Sequence, residues 1–296
     1  MVPTKAAISP FLGEYVWAGQ GPSTCQMLTC RRCTLSFHDV RLTASESERL
    51  YSGYRSDAYV RTRTRLEPEY RDLHLRIGTP GEVDARNANL GRLLESGGIP
   101  PSPAKLLDYG GDAGQFIPKF FDASRKFVYD ISGASPREDV EAVDDPRSEA
   151  PYDFVMCCHV LEHVAEPLPL VEEVRRLLTA GGIAYFEVPW EPLFLERLAT
   201  ILKRRTWNPP PLHEHATFFT STALRHLVRR AGLSEVLCRV RRLRFGGTDH
   251  HVISLLAQRR GEGASPSAPP TRVVLTEMLF WATTRVRARL SGSEVS

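Results

Sequence analysis

Three groups of residues have the types and spacings that chemistry needs. The first is Asp108-Tyr-Gly110-Gly111-Asp112-Ala-Gly114, where an apolar run (Ala104, Leu106, Leu107) ends in an acid and then in glycines. Glycine lets a chain turn with positive φ and approach a ligand closely. About twenty residues after this loop begins, Asp130 closes a second apolar run, at the place where a carboxylate can accept two hydrogen bonds from a ribose diol. The second group is His159-Val-Leu-Glu162-His163, followed later by His213 and His215. Imidazoles change charge near neutral pH and are candidate bases. The same His159-x-x-Glu162-His163 spacing matches an inverted zinc-protease motif and opens a second reading, a metal-dependent hydrolase. The third group is Cys25, Cys30 and Cys33, with His38 five residues further on. Cys30-x-x-Cys33 has the knuckle spacing of a structural zinc site, which needs four ligands. No second C-x-x-C pair accompanies it, so zinc here would need Cys25 and His38 in an unusual arrangement. The alternative is a set of plain thiols.

These residues must be positioned by the elements around them. Residues 104–108, 126–130, 152–158 and 183–188 read as buried strands, the third near-continuously apolar, as a strand covered on both faces should be. An edge strand is expected in 139–145, and late strands in 235–243 and 251–258. Helical periodicity covers parts of 45–69, 84–96 and 116–121. It returns from the His159 segment to Leu178, in an insertion at about 190–217, and from Leu224 to Ala231. Strand and helix in this alternation predict an α/β fold: a Rossmann-like, doubly wound, mainly parallel sheet with helices on both faces. Residues 1–103 read as an N-terminal helical, cysteine-containing cap and 104–258 as the ligand-binding domain. Residues 259–296 read as a linker and a C-terminal amphipathic helix (271–290). His159 closes an apolar strand before a helix is established, which weighs against the hydrolase reading.

The bulk composition sets outer bounds. In 296 residues, 42% are hydrophobic and 25% charged, and the net charge is +3. That is an ordinary globular balance, too weakly basic to argue for nucleic acid. No apolar run reaches the ~18 residues of a membrane-spanning helix, and the first residues lack the apolar core of a signal peptide. Six cysteines in a chain of this length do not make a disulfide framework. A cytoplasmic protein is the expectation.

The loop fits neither the G-x-G-x-x-G dinucleotide fingerprint nor a P-loop, which would carry a phosphate-binding lysine. Its Asp-x-Gly-x-x-x-Gly form resembles the first motif of the class I S-adenosylmethionine-dependent methyltransferases. Tyr152-Asp-Phe-Val, His159-Val-Leu-Glu-His-Val, the turn at Gly181-Gly182, Phe186-Glu-Val-Pro189 and His215-Ala-Thr-Phe-Phe-Thr follow in the order of that family, over roughly residues 105–258. The resemblance implies S-adenosylmethionine as cofactor. Backbone at Gly110, Gly111 and Gly114 would approach its methionine part and Asp108 would fix its amino group. Asp130 would hold the ribose, with Ile131 beside it, and Asp144 or Asp145 would sit near the adenine. His159 would lie beside the cofactor at the substrate mouth. One departure is Asp112, where the family has glycine. Methyl transfer to a hydroxyl calls for a base, and His215, His213 and His159 are the candidates, His215 first. The cap and the methyltransferase block together look like a subgroup acting on sugars, nucleotide-linked sugars or other polar metabolites. Arg61, Arg63, Arg65, Arg204 and Arg205 would suit an anionic substrate. The competing reading is a non-catalytic methyltransferase-like scaffold, which predicts no cofactor binding.

Overall fold

The protein was analysed as a computed structural model that describes residues 2–75 and 78–260. The expected linker and C-terminal helix lie outside the described residues. In chain order, the N-terminal part comprises β1 (Val2–Ala7), α1 (Pro10–Tyr15), β2 (Thr24–Thr29), β3 (Ser36–His38), α2 (Ala44–Tyr51), α3 (Asp57–Leu66), α4 (Tyr70–His74) and α5 (Pro80–Gly97). There follow β4 (Lys105–Tyr109), β5 (Arg125–Tyr129), β6 (Glu141–Ala142), β7 (Tyr152–Cys158), α6 (Pro167–Leu177) and β8 (Leu178–Pro189). The chain continues with α7 (Leu193–Leu202), β9 (Thr217–Phe218), α8 (Ser221–Arg230), β10 (Leu233–Phe245) and β11 (Thr248–Arg259). None of the described helices is long and apolar enough to cross a membrane.

The larger sheet has the order β10-β11-β8-β7-β4-β5-β6. The run from β8 to β6 is parallel, while β11 is antiparallel to both β8 and β10. Successive side chains leave opposite faces of a strand. Leu107, Val155 and Cys157 accordingly join the core under α6 and α8, and Leu106, Phe154 and Met156 the core under α5. Helix α5 starts at a Thr79 cap with Pro80 in its first turn and stops at the left-handed Gly98. It buries Leu90, Leu93 and Leu94, each worth about 1.5–3 kcal/mol relative to exposure. The strand order reverses beside β4, which places the carboxyl ends of β4, β5, β7 and β8 around one crevice.

A second, antiparallel sheet has the order β1-β2-β3-β9. Its last strand comes from the insertion, paired as Ser36↔Phe218 and Phe37↔Thr217. Bridges Ile8↔Leu212 and Trp190↔Phe219 pin the insertion on either side. The N-terminal segment and the insertion therefore form one roof over the crevice, with a core that includes Phe11, Met27, Tyr59, Leu193, Leu212 and Phe218.

Several sequence expectations are corrected. The helix over 116–121 is only a 3-10 turn, Lys119–Phe121. Pro118 lacks an N–H and disfavours helical backbone in the residue before it. The helix expected from the His159 segment begins at Pro167, and residues 160–163 are turn. The edge strand over 139–145 shrinks to Glu141–Ala142. Cys25, Cys30 and Cys33 do not converge. Cys25 lies near the start of β2 and Cys30 just beyond its end, about 16 Å of extended chain away. Cys25 instead faces His38 across the sheet, Sγ to Nδ1 3.4 Å, and the Cys30/Cys33 pair sits at the opposite turn.

Candidate active site

The floor of the crevice is the loop after β4. Gly110 has φ +73, and a Cβ there would overlap Val160. A Cβ on Gly111 would overlap the Asp108 carboxyl. Asp108 is 1% exposed and neither of its oxygens has a hydrogen-bond partner. Burial pushes its pKa up to about 7, with Arg86 opposing and Asp130 adding to the rise. Asp130, at the end of β5, accepts from the Asp112 N–H at 2.7 Å and from the Ser132 N–H at 2.8 Å. Each of its oxygens keeps a lone pair for a further donor. Asp112 adopts φ +54, a left-handed conformation that aspartate tolerates better than most residues. Its carboxylate accepts from Gln115 at 3.1 Å. Ile131, next to Asp130, is 55% exposed, an apolar side chain beside a polar crevice. Asp144 and Asp145 are exposed. Asp144 lies two residues beyond β6, whose Ala142 pairs with Val128 of β5.

Behind the floor lies a buried ionic network that the sequence did not announce. Glu187, on β8, accepts from Arg86 Nε at 2.8 Å, Asn89 Nδ2 at 3.2 Å and the Tyr185 hydroxyl at 2.5 Å. Burial opposes its charge, but Arg86 together with these donors and His159 holds its pKa down to about 2. His159, at φ +56, stands between two buried carboxylates. Its Nδ1 is 3.1 Å from Glu162 and its Nε2 3.5 Å from Glu187. The only signal for this network in the sequence is the pair Arg86 and Asn89, one helical turn apart on α5.

The roof brings the other histidines over Glu162. The Glu162 carbonyl accepts from the Ala216 and Thr217 N–H groups at 2.9 and 3.1 Å, so the backbone before β9 is laid directly on the His159–His163 turn. The His163 and His215 rings meet at 4.8 Å between centroids, His213 and His215 at 4.9 Å, and Tyr51 and His163 at 5.8 Å. The His215 N–H donates to His213 Nδ1 at 3.1 Å. Burial pulls the His213 pKa down to about 3, and His215 adds to that effect. Burial also acts against charge on His215, but Glu191, with Glu162 and Glu214, outweighs it and raises the pKa to about 9. Glu214 is bound by Arg63 and by the Tyr59 hydroxyl. Arg63 is thus an internal counter-ion at 5% exposure and not a substrate cation, which corrects the expectation for it. Arg61, Arg204 and Arg205 face solvent, and exposed Arg65 pairs with Glu14. Among the described residues, one half-buried cation within reach of the Asp112 charge is Arg55, stacked over Tyr54 at 4.9 Å, with no partner for its Nε.

The sequence profile of one family, described as a methyltransferase domain, matches residues 68–237. The chain belongs to this methyltransferase domain family. Among curated proteins, the ubiquinone biosynthesis O-methyltransferase of Nitrosomonas europaea is 34% identical over 92 residues, 28% of this chain and 37% of that protein. The protein of the same description from Burkholderia thailandensis is 34% identical over 92 residues, 30% of this chain and 40% of that protein. The chain thus spans about two fifths of the length of these curated relatives. Among solved structures, the 1,6-didemethyltoxoflavin-N1-methyltransferase of Burkholderia thailandensis is 19% identical, with 78% of this chain and 98% of that chain covered and a TM-score of 0.47.

Membership of the methyltransferase domain family implies S-adenosylmethionine, and the floor fits it. The glycines leave bare backbone where a side chain would collide, and a carboxylate with no partner lies beneath them, suited to an ammonium group. Asp130 retains acceptor capacity for a diol, and exposed Ile131 offers an apolar face to a flat base.

Proposed function

We propose that this methyltransferase domain transfers a methyl group from S-adenosylmethionine to a hydroxyl of a polar small molecule. The observation that carries the proposal is Asp108, a fully buried carboxylate without a partner under a glycine loop. Leaving such a group unsatisfied costs about 1–3 kcal/mol or more, and a ligand ammonium removes that cost. When bound, the cofactor supplies an activated methyl on a sulfonium; the protein's task is to bring the nucleophile in line with it. Residues 104–258 would hold the cofactor through Asp108, Gly110, Gly111, Gly114, Asp130, Ile131 and Asp144 or Asp145. The roof, from residues 1–103 with the 190–217 insertion, would hold the acceptor. His159, fixed between Glu162 and Glu187, shapes the floor of the mouth. His213 accepts the His215 backbone N–H at Nδ1, so its neutral ring carries its proton on Nε2 and can donate to the acceptor oxygen, while His215, paired with Glu191 through Nδ1, faces the acceptor hydroxyl.

A sugar or nucleotide-linked sugar is the acceptor class that the sequence supports. A ring-borne hydroxyl is a second reading, favoured by the Tyr51, His163 and His215 rings packed edge to face at the mouth. The test is titration calorimetry with S-adenosylmethionine, followed by transfer of a labelled methyl to panels of sugars, nucleotide-linked sugars and catechols. Binding with transfer to one panel supports the proposal and assigns the acceptor class. No heat at about millimolar cofactor sinks it in favour of the non-catalytic scaffold.

A further inference from the structure

Glu162, His163 and His215 each offer one ligand atom, and the three atoms lie within 4.8 Å of one another. Among the described residues this is the one group of three or more metal-ligating side chains drawn together in this way. We propose that these three residues bind a divalent first-row cation, which takes the acceptor hydroxyl oxygen as a further ligand. The acceptor part of this proposal rests on the methyltransferase reading above; the cation site does not.

Four observations carry it. Glu162 is 0% exposed, yet its two oxygens find no hydrogen-bond donor; the His159 ring at 3.1 Å and the His163 ring at 4.0 Å stand alongside as ion-pair partners. A buried carboxylate calls for compensation by a cation or by hydrogen bonds. Second, His163 is pre-oriented. Its Nδ1 is engaged with the Glu214 carbonyl at 3.2 Å, which leaves Nε2 facing Glu162 at 4.0 Å. Metal-bound histidines characteristically commit their other ring nitrogen in this way. Third, His215 Nδ1 is buried without a hydrogen bond and lies 3.6 Å from Glu191 Oε2, itself without one. Fourth, the ligands come from two segments that the backbone clamps together, through the Glu162 carbonyl and the N–H groups of Ala216 and Thr217.

Two imidazoles and one carboxylate with an open side suit zinc, manganese or iron rather than a closed structural site. Ligands at ~2.1 Å from a tetrahedral ion stand ~3.4 Å apart, so the three side chains must draw in by about an ångström or less. The Tyr51 ring against His163 marks the open side as part of the acceptor mouth. A hydroxyl bound there would be acidified by the cation, so that its proton could pass to water near neutral pH. The cysteines offer no comparable set, because Cys25 with His38 and Cys30 with Cys33 lie at opposite ends of β2.

The experiment titrates the full chain, stripped with a chelator, with Mn2+ and with Zn2+. It compares the unchanged protein with His163→Ala, His215→Ala and a Cys30→Ser/Cys33→Ser pair. Thermal melting checks that each variant is folded, and Glu162→Gln replaces any histidine variant that is not. The expected result is one ion per chain, weakened about 100-fold or more by loss of a histidine, beyond the 10–100-fold typical of outer-shell changes. The cysteine pair leaves binding unchanged, and affinity for S-adenosylmethionine stays within about twofold in the histidine variants, a small effect on this scale. Absence of metal binding at about millimolar ion, binding unaffected by the ligand variants, or binding lost with the cysteines overturns the site. Intact metal binding in a chain that takes no S-adenosylmethionine sinks the methyltransferase reading and leaves the site standing.

Discussion

Asp108 and Glu187 are both buried carboxylates at the carboxyl ends of strands in one sheet, at 1% and 0% exposure. Glu187 is held by Arg86, Asn89 and Tyr185, and its pKa is carried down to about 2 despite burial. Asp108 has no hydrogen-bond partner, and burial carries its pKa up to about 7. Burial alone therefore does not mark function. A carboxylate satisfied by its own chain holds the scaffold; one left unsatisfied awaits a ligand. Four substitutions or conditions break or sharpen this contrast.

The largest effect is expected on the scaffold side. Glu187→Ala strips Arg86 of its closer carboxylate, leaving this buried cation with only Glu82 at 3.5 Å as an ion-pair partner, and should cost about 3–5 kcal/mol in urea denaturation. A loss below about 1 kcal/mol would show that the network is not structural. Asp108→Asn should act in the opposite sense. It keeps the shape of the protonated carboxyl, so the denaturation midpoint holds or rises. Affinity for S-adenosylmethionine, read by calorimetry, falls at least about tenfold, as for loss of a charge-assisted hydrogen bond. A variant that loses stability but not affinity would reverse the two roles.

The pH dependence follows from the same carboxyl. Its ordinary pKa is about 3.9, and in the folded protein it stands at about 7. The folded state thus keeps a proton that the unfolded state releases, and this stabilisation is present in full below about pH 4 and lost as pH rises to about 7. Arg86, Asp130, Arg137 and Asp112 are the charges that act on it and remain in place. A cofactor ammonium needs the ionised form, so affinity should rise by up to about tenfold per pH unit below 7 and flatten above it. Calorimetry at a series of pH values checks this, and Asp108→Asn should remove the slope. The smallest effect is Asp112→Gly. It relieves a positive φ at a cost of the Gln115 contact, and should change stability by no more than about 1 kcal/mol while preserving or tightening cofactor affinity.

The floor was legible in the sequence because its determinants are local. Asp108, the glycines, Asp130 and His159 each follow a short apolar run, and strand ends are where the crevice must be. Pro118 stopped a helix that Phe116, Ile117, Phe120 and Phe121 suggested by spacing, a local veto that periodicity overlooked. The roof was not legible. β3 and β9 are three and two residues long, too short to show alternation, and they pair across most of the chain. The convergence of His215 on Glu162 depends on that pairing, so no motif in either segment announces it. Arg63 looked like a substrate cation because spacing does not reveal which side of a helix faces Glu214.

The pairing of β3 with β9 also sets an order of assembly. The two strands are about 180 residues apart, and closing so long a loop is compensated only by a few late contacts. The central strands β4, β5, β7 and β8 lie between them in the chain and pair over shorter separations. The half that carries the glycine loop can therefore mature while the roof is still open. Amide hydrogen exchange should find the Thr217–Phe218 pairing among the first to open and β7 among the last, so that the same strand pair that completes the pocket is its natural point of release.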